Sequence, residues 1–149
     1  MLSRFVALSL AYHQLYVVGW DVTVTVEDQD RALAELRQMA RGLDSPPVMV
    51  VVLGAALHPP SIEVRKKGLE MIRSALKLAL ALEVAATGRG VLGTLQRSTA
   101  RGVALMMLEL RGRVHGHDSL GKAVGHAGTL TPIDEGGVVS ALARAGFAV

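Results

Sequence analysis

Apolar and polar positions along this chain follow spacings that switch between strand-like and helix-like. Residues 4–10 (RFVALSL) and 14–20 (QLYVVGW) are β-rich runs separated by the short break AYHQ, which predicts a hairpin. The stretch TVEDQDRALAELRQMARG predicts a helix. Thr25, with Asp28 three residues on, is a capping-box-like start, and Glu27, Asp28 and Asp30 load the first turn with acid. Gly42 ends it, and Leu33, Leu36 and Ala40 supply an apolar face. Residues 48–54 (VMVVVLG) are unbroken apolar positions, as expected of a central strand covered on both faces. After AALHPP a second helix is expected from about Ser61. Its predicted buried face is Ile62, Leu69, Ile72 and Leu76, with Glu63, Lys66, Lys67, Glu70, Arg73 and Lys77 in water.

The spacing next predicts a strand at 81–86 and a helical stretch opened by GRGVLG that runs to about Leu110. GRVHGH reads as a last short strand and SLGKAVGHAG as a short helix capped by Ser119. A linker with Pro132 then leads to a small helix from about Gly137 to Ala145. The order β-β-α-β-α-β-α-β-α plus a tail predicts an α/β sandwich with a mixed sheet of about five strands. Residues 1–128 form the expected domain, and 129–149 a C-terminal linker and short helix.

Composition narrows the function classes. The chain has 149 residues, 50% hydrophobic but only 3% aromatic, so its core is built from Val, Leu, Ile, Ala and Met. Net charge is +3, from 16 basic and 13 acidic residues, without a long basic block. With so few rings to stack on bases, no nucleic-acid partner is expected. The absence of cysteine removes disulfides, thiolate metal sites and Cys nucleophiles, and fits a reducing compartment. No run reaches the roughly 18 uncharged apolar residues of a membrane span, and the apolar N-terminus carries Arg4, His13 and Gln14. A cytoplasmic protein without membrane insertion is expected.

Three places carry candidate chemistry. Gly88-x-Gly90-x-x-Gly93 has the spacing of a dinucleotide-binding loop between a strand and a helix. No acidic residue stands at the matching distance, since Glu109 falls in the helix and Asp118 is too far along. A strand-to-helix turn is therefore expected, and no cofactor. His115 and His117 alternate on one face of the last strand, with Asp118 beside them and His126 one or two helical turns on. A His-x-His pair with a carboxylate can bind zinc, but a further ligand is missing, and no metal is expected. There is no G-x-S-x-G, and the serines are explained by capping, so no nucleophile is expected. His58, Pro59, Pro60 and Ser61 form a stiff loop leading to the positive end of a helix.

Three features together resemble the STAS-like domain family, the relatives of bacterial anti-sigma-factor antagonists. LYVVGWDVTVTVEDQDRALAELR is similar to its second strand and first helix. PPVMVVVLGAALHPPSIEVRKKGLEMI is similar to its central strand, loop and second helix. LEVAATGRGVLGTLQRS and GRVHGHDSLGKAV are similar to its last two strands, each leading into a helix. The resemblance covers about residues 4–127 and rests on element order and hydrophobic pattern. It implies a non-catalytic bacterial regulatory or scaffold domain acting through another protein, and a homodimer is compatible with it. In the family an Asp-Ser-Ser-Gly-like loop follows the central strand and its serine is phosphorylated. Here that place reads LHPPSIEV, with Ser61 its only serine and no preceding Asp. The expected partner surface is His58, Pro59, Pro60 and Ser61, with Arg89 brought to the same sheet edge. The alternatives are a module for a small-molecule or lipid-like ligand, and a nucleotide-binding enzyme using Gly88–Gly93.

Overall fold

The structure, a computed structural model, describes residues 7–21, 23–55, 57–88 and 112–149. Strands β1 (Ala7–Tyr12), β2 (Leu15–Trp20), β3 (Val48–Leu53), β4 (Ala81–Ala86) and β5 (Val114–His117) form one sheet in the order β1-β2-β3-β4-β5. The first two are antiparallel and every later pair is parallel. Four helices are described: α1 (Val26–Arg41), α2 (Ile62–Leu78), α3 (Leu120–Leu130) and α4 (Glu135–Ala145). The chain is thus α/β with a mixed five-stranded sheet, as the periodicity predicts. The helix expected between Gly90 and Leu110 lies outside the described residues.

Side chains on successive strand positions point to opposite faces, and this divides the core in two. Tyr16, Val18, Trp20, Met49, Val51 and Leu82 face α1 and α2, where Ala32, Leu36, Met71, Ala75 and Leu76 meet them. Leu15, Val17, Val48, Val50, Val52 and Ala85 face the other way, against Leu120, Ala123, Val124 and Ala127 of α3 and Val138 and Leu142 of α4. Each fully buried aliphatic side chain contributes roughly 1.5–3 kcal/mol of transfer free energy, so both faces of β2 and β3 need cover. The C-terminal segment provides part of it. Phe147, only 5% exposed, packs so near Gly19 of β2 that a Cβ there would lie 2.8 Å from its ring.

Local signals set the helix ends. Thr25 accepts from the Asp28 amide, and the Asp28 carboxylate accepts from the Thr25 amide, completing the predicted capping box. Ser61 and Ser119 cap α2 and α3 in the same way, accepting from the Val64 and Lys122 amides. The face predicted for α2 reaches the core except at its first position: Leu76 is buried, and Leu69 and Ile72 pack against the same cluster. Val64, Met71, Ala75 and Leu76 are buried, whereas Ile62 is 63% exposed. The neighbouring row of the helix meets α1, where the buried Gln29 side chain donates to the Val64 carbonyl and Lys67 pairs with Asp30. Among the described residues no helix is long and apolar enough to cross a membrane.

The β1–β2 hairpin closes through His13 and Gln14, with Tyr12 opposite Leu15. His13 has φ 53, the left-handed region, and it is the first of two turn residues, where glycine is the usual choice. Replacing His13 with Val, which is branched at Cβ, should cost about 1–2 kcal/mol. His13→Gly should cost nothing. Thermal unfolding of the two variants checks both, with a fall of roughly 2–6 °C expected for His13→Val.

Candidate functional site

The parallel arrangement brings the loops that follow β3 and β4 to one edge of the sheet. Thr87 fixes them together: its hydroxyl and its amide both donate to the Leu53 carbonyl, at 2.6 and 3.1 Å. Gly54 continues that edge, and a Cβ there would fall 2.7 Å from the Cα and Oδ1 of Asp21. The first predicted surface lies here. His58, Pro59, Pro60 and Ser61 are all exposed, next to the exposed Ile62. The Ser61 hydroxyl is engaged as the α2 cap, 3.2 Å from the Val64 amide. Of the glycine motif only Gly88 is described; Arg89, Gly90 and Gly93 lie outside the described residues.

A second site forms where the histidine pattern meets a residue the sequence reading passed over. Glu83 sits in the middle of β4 and points to the face covered by α3, with no solvent exposure at all. Its strand neighbour in register is His115, and His117 pairs with Ala85, so both imidazoles stand on the same face beside it. His115 Nδ1 lies 3.1 Å from Glu83 Oε1, and His117 Nε2 lies 2.6 Å from Oε2. From the opposite layer, His126 Nδ1 of α3 reaches Oε1 at 2.6 Å. The rings touch one another too, with the His115 and His126 centroids 4.4 Å apart and those of His117 and His126 5.4 Å apart.

Three features hold this cluster in place. Arg113, just before β5, donates from its guanidinium to the Leu76, Ala79 and Leu80 carbonyls, so β5 begins locked to the end of α2. Ser119 starts α3 directly after β5. The buried face of α3 uses the small residues Ala123 and Ala127, and the helix therefore lies close enough for His126 to reach the carboxylate.

Electrostatics makes the arrangement unusual. An ionised carboxylate inside a protein costs several kcal/mol unless opposite charge and hydrogen bonds answer it. Here the answering groups are three imidazoles on one side of the carboxylate. Each can be a neutral donor, an imidazolium or a metal ligand. Glu83, His117 and His126 each offer one donor atom, all within 4.8 Å of one another, a spacing that can hold a metal ion. Asp118, the carboxylate the sequence places with these histidines, instead pairs with Lys122 at 2.8 Å. The correction is geometric. Asp118 lies just past the end of β5 and turns to Lys122, whereas Glu83 faces His115 across the parallel ladder.

A cleft of about 140 Å³ lies between the sheet and α1, lined by Tyr16, Trp20, Asp28, Arg31 and Glu35 among others. It is well below the several hundred Å³ that a drug-sized ligand occupies, and its rim is charged. The Tyr16 hydroxyl donates to Glu35 Oε2 at 2.6 Å. Burial first, and then the Glu35 hydrogen bond and charge, push the Tyr16 phenol far above its ordinary range. Folding therefore favours the protonated phenol. That stability is complete below pH 10, the unfolded value, and declines as the unfolded chain ionises above it. Chemical unfolding between pH 8 and pH 12 should show a steeper loss above pH 10 for the wild type than for Tyr16→Phe.

No family model matches this chain, and no curated protein or solved structure matches it.

Proposed function

We propose that this chain is a non-catalytic regulatory domain whose input is the cation that balances Glu83. One observation carries the reading: a carboxylate with no solvent exposure faces three imidazoles that are themselves 14–35% exposed. A structural ion pair is commonly satisfied by one fixed charge such as arginine. Among the described residues, the side chains that answer this carboxylate are all imidazoles, each able to hold a proton or to ligate a metal. Loading the site with a cation ties β4, β5 and α3 together, and unloading it leaves a buried anion that strains their packing. Among the described residues, the neighbouring Ser119 hydroxyl is engaged as a helix cap and the Thr129 hydroxyl donates to the His126 carbonyl.

The experiment is nuclear magnetic resonance of the ring protons of His115, His117 and His126, in the wild type and in Glu83→Gln. Because one carboxylate couples the three rings, a cation should shift them together in the wild type and independently in Glu83→Gln. Amide shifts should spread through β5 and α3 in the wild type only. Rings that respond independently and identically in both proteins overturn the reading.

A second reading, the STAS-like partner domain, is favoured by a different observation. Ile62, patterned as a core residue, is 63% exposed beside the exposed Pro59 and Pro60. The two prolines stiffen the loop, which lowers the entropy lost on docking. The element order and the hairpin followed by parallel strands support the same likeness. Aspartate caps helices about as well as serine, so Ser61→Asp should unfold at nearly the wild-type temperature while adding charge at this surface. A native partner retained by the wild type should be lost from both Ser61→Asp and Ile62→Asp; retention by both places the surface elsewhere.

A further inference from the structure

We infer that Glu83, His117 and His126 bind one divalent transition ion of the zinc class, with His115 as the positioning residue that holds the carboxylate. This rests on the cation-input reading above and names its ligand. The donor set is two imidazole nitrogens and one carboxylate oxygen, drawn from β4, β5 and α3. Imidazole-rich sets select zinc, cobalt, nickel or copper, whereas magnesium and calcium take nearly all-oxygen shells. No thiolate competes, because the chain has no cysteine.

The geometry needs little adjustment. A four-coordinate zinc with bonds of about 2.0–2.1 Å keeps its donor atoms roughly 3.3–3.4 Å apart. His117 Nε2 and His126 Nδ1 each lie 2.6 Å from a different oxygen of Glu83. To admit an ion the 2.6 Å contacts open by about 0.8 Å while the three donor atoms, all within 4.8 Å of one another, settle to the same spacing, which rotations of the partly exposed rings supply. The rings provide the route in as well. His117 and His126 are 14% and 35% exposed, while the carboxylate behind them is sealed. Charge supports the same assignment, since a divalent ion more than offsets the single negative charge of the buried carboxylate and is ligated by imidazoles in their neutral form.

His115 plays a different part. Its Nδ1 lies 3.1 Å from Oε1, the oxygen also reached by His126, and it is not one of the three clustered donors. A ligating carboxylate is regularly oriented by such an outer hydrogen bond, and losing it commonly weakens metal binding 10–100-fold. The three ligands leave a fourth position for water or for a group carried by a partner. Asp118 stays outside, held by Lys122.

The test uses the full chain after removal of metals by chelator, titrated with zinc, cobalt and magnesium ions by calorimetry. One equivalent of zinc should bind and raise the melting temperature, and magnesium should not. Cobalt should give the visible absorption of a four-coordinate site. His117→Ala and His126→Ala should each weaken zinc by 100-fold or more. His115→Ala should weaken it 10–100-fold at unchanged stoichiometry, and His115→Gln should recover part of the loss through its amide donor. Asp118→Asn should bind as the wild type does. If Glu83→Gln or His126→Ala fails to fold without metal, cobalt spectra of His117→Gln and His115→Gln decide the matter. Zinc that does not bind, or that binds undiminished in both His117→Ala and His126→Ala, overturns the inference. If the rings then still respond together to acid in the wild type, the cation is a proton and the regulatory reading stands alone. If they do not, both fail.

Discussion

Strands β2, β3 and β4 are covered on both faces, and most of the remaining architecture follows from that constraint. Parallel pairing of β2 through β5 requires crossovers, and α1 and α2 supply them on one face. The other face would expose Val17, Val48, Val50 and Val52 unless something returned to it. Helices α3 and α4, with Phe147, are what returns. The segment beyond residue 128 is therefore part of the packed core as much as any crossover helix.

The same double coverage turns a single polar position into a chemical problem. Position 83 falls on the second face of β4, between strands, under α3. An aliphatic residue there would simply add to the core. A glutamate instead must be given charge and hydrogen bonds inside a low-dielectric layer, where an unanswered anion is most expensive. The edge strand β5 and the helix after it answer with imidazoles. Their sites on an edge strand and on a helix flank leave the rings partly open to solvent, so the interior charge is reachable from outside.

Polar groups elsewhere are used to fasten elements. Gln14 accepts from both Ser45 and Thr131 and so joins the hairpin turn to the loop before β3 and the end of α3. Arg113 closes the end of α2, and Gln29 with Lys67 fastens α1 to α2. These bonds are made by groups of fixed charge or by amides and hydroxyls. The Glu83 cluster differs in kind because its partners can change state. The buried Trp20 indole nitrogen and Gln29 Oε1 have no hydrogen-bond partner among the described residues.

Local order was written in the sequence wherever one physical cause acts alone. The capping pairs Thr25–Asp28, Ser61 and Ser119 begin their helices where the pattern puts them, because a cap depends on residues three apart. The run VMVVVL is a central strand, as a short run rich in β-branched residues and bounded by Pro47 and Gly54 suits, with its first five residues buried. The α/β class follows from those elements. Tertiary structure decided what depends on neighbours distant in the chain. Ile62 belongs to the apolar repeat whose Leu69, Ile72 and Leu76 reach the core, yet at the start of α2 Val64 takes the buried place against α1 and Ile62 is left in water. Glu83 was hidden inside an apolar run, ALEVAA, and carried no signal until parallel pairing set it against His115. His115, His117 and His126 were visible, but spacing favoured Asp118, the carboxylate next in sequence. Asp118 stands beyond the end of β5 and turns to Lys122, and the carboxylate that meets the histidines comes from the neighbouring strand. Register, which no local pattern specifies, determined which one.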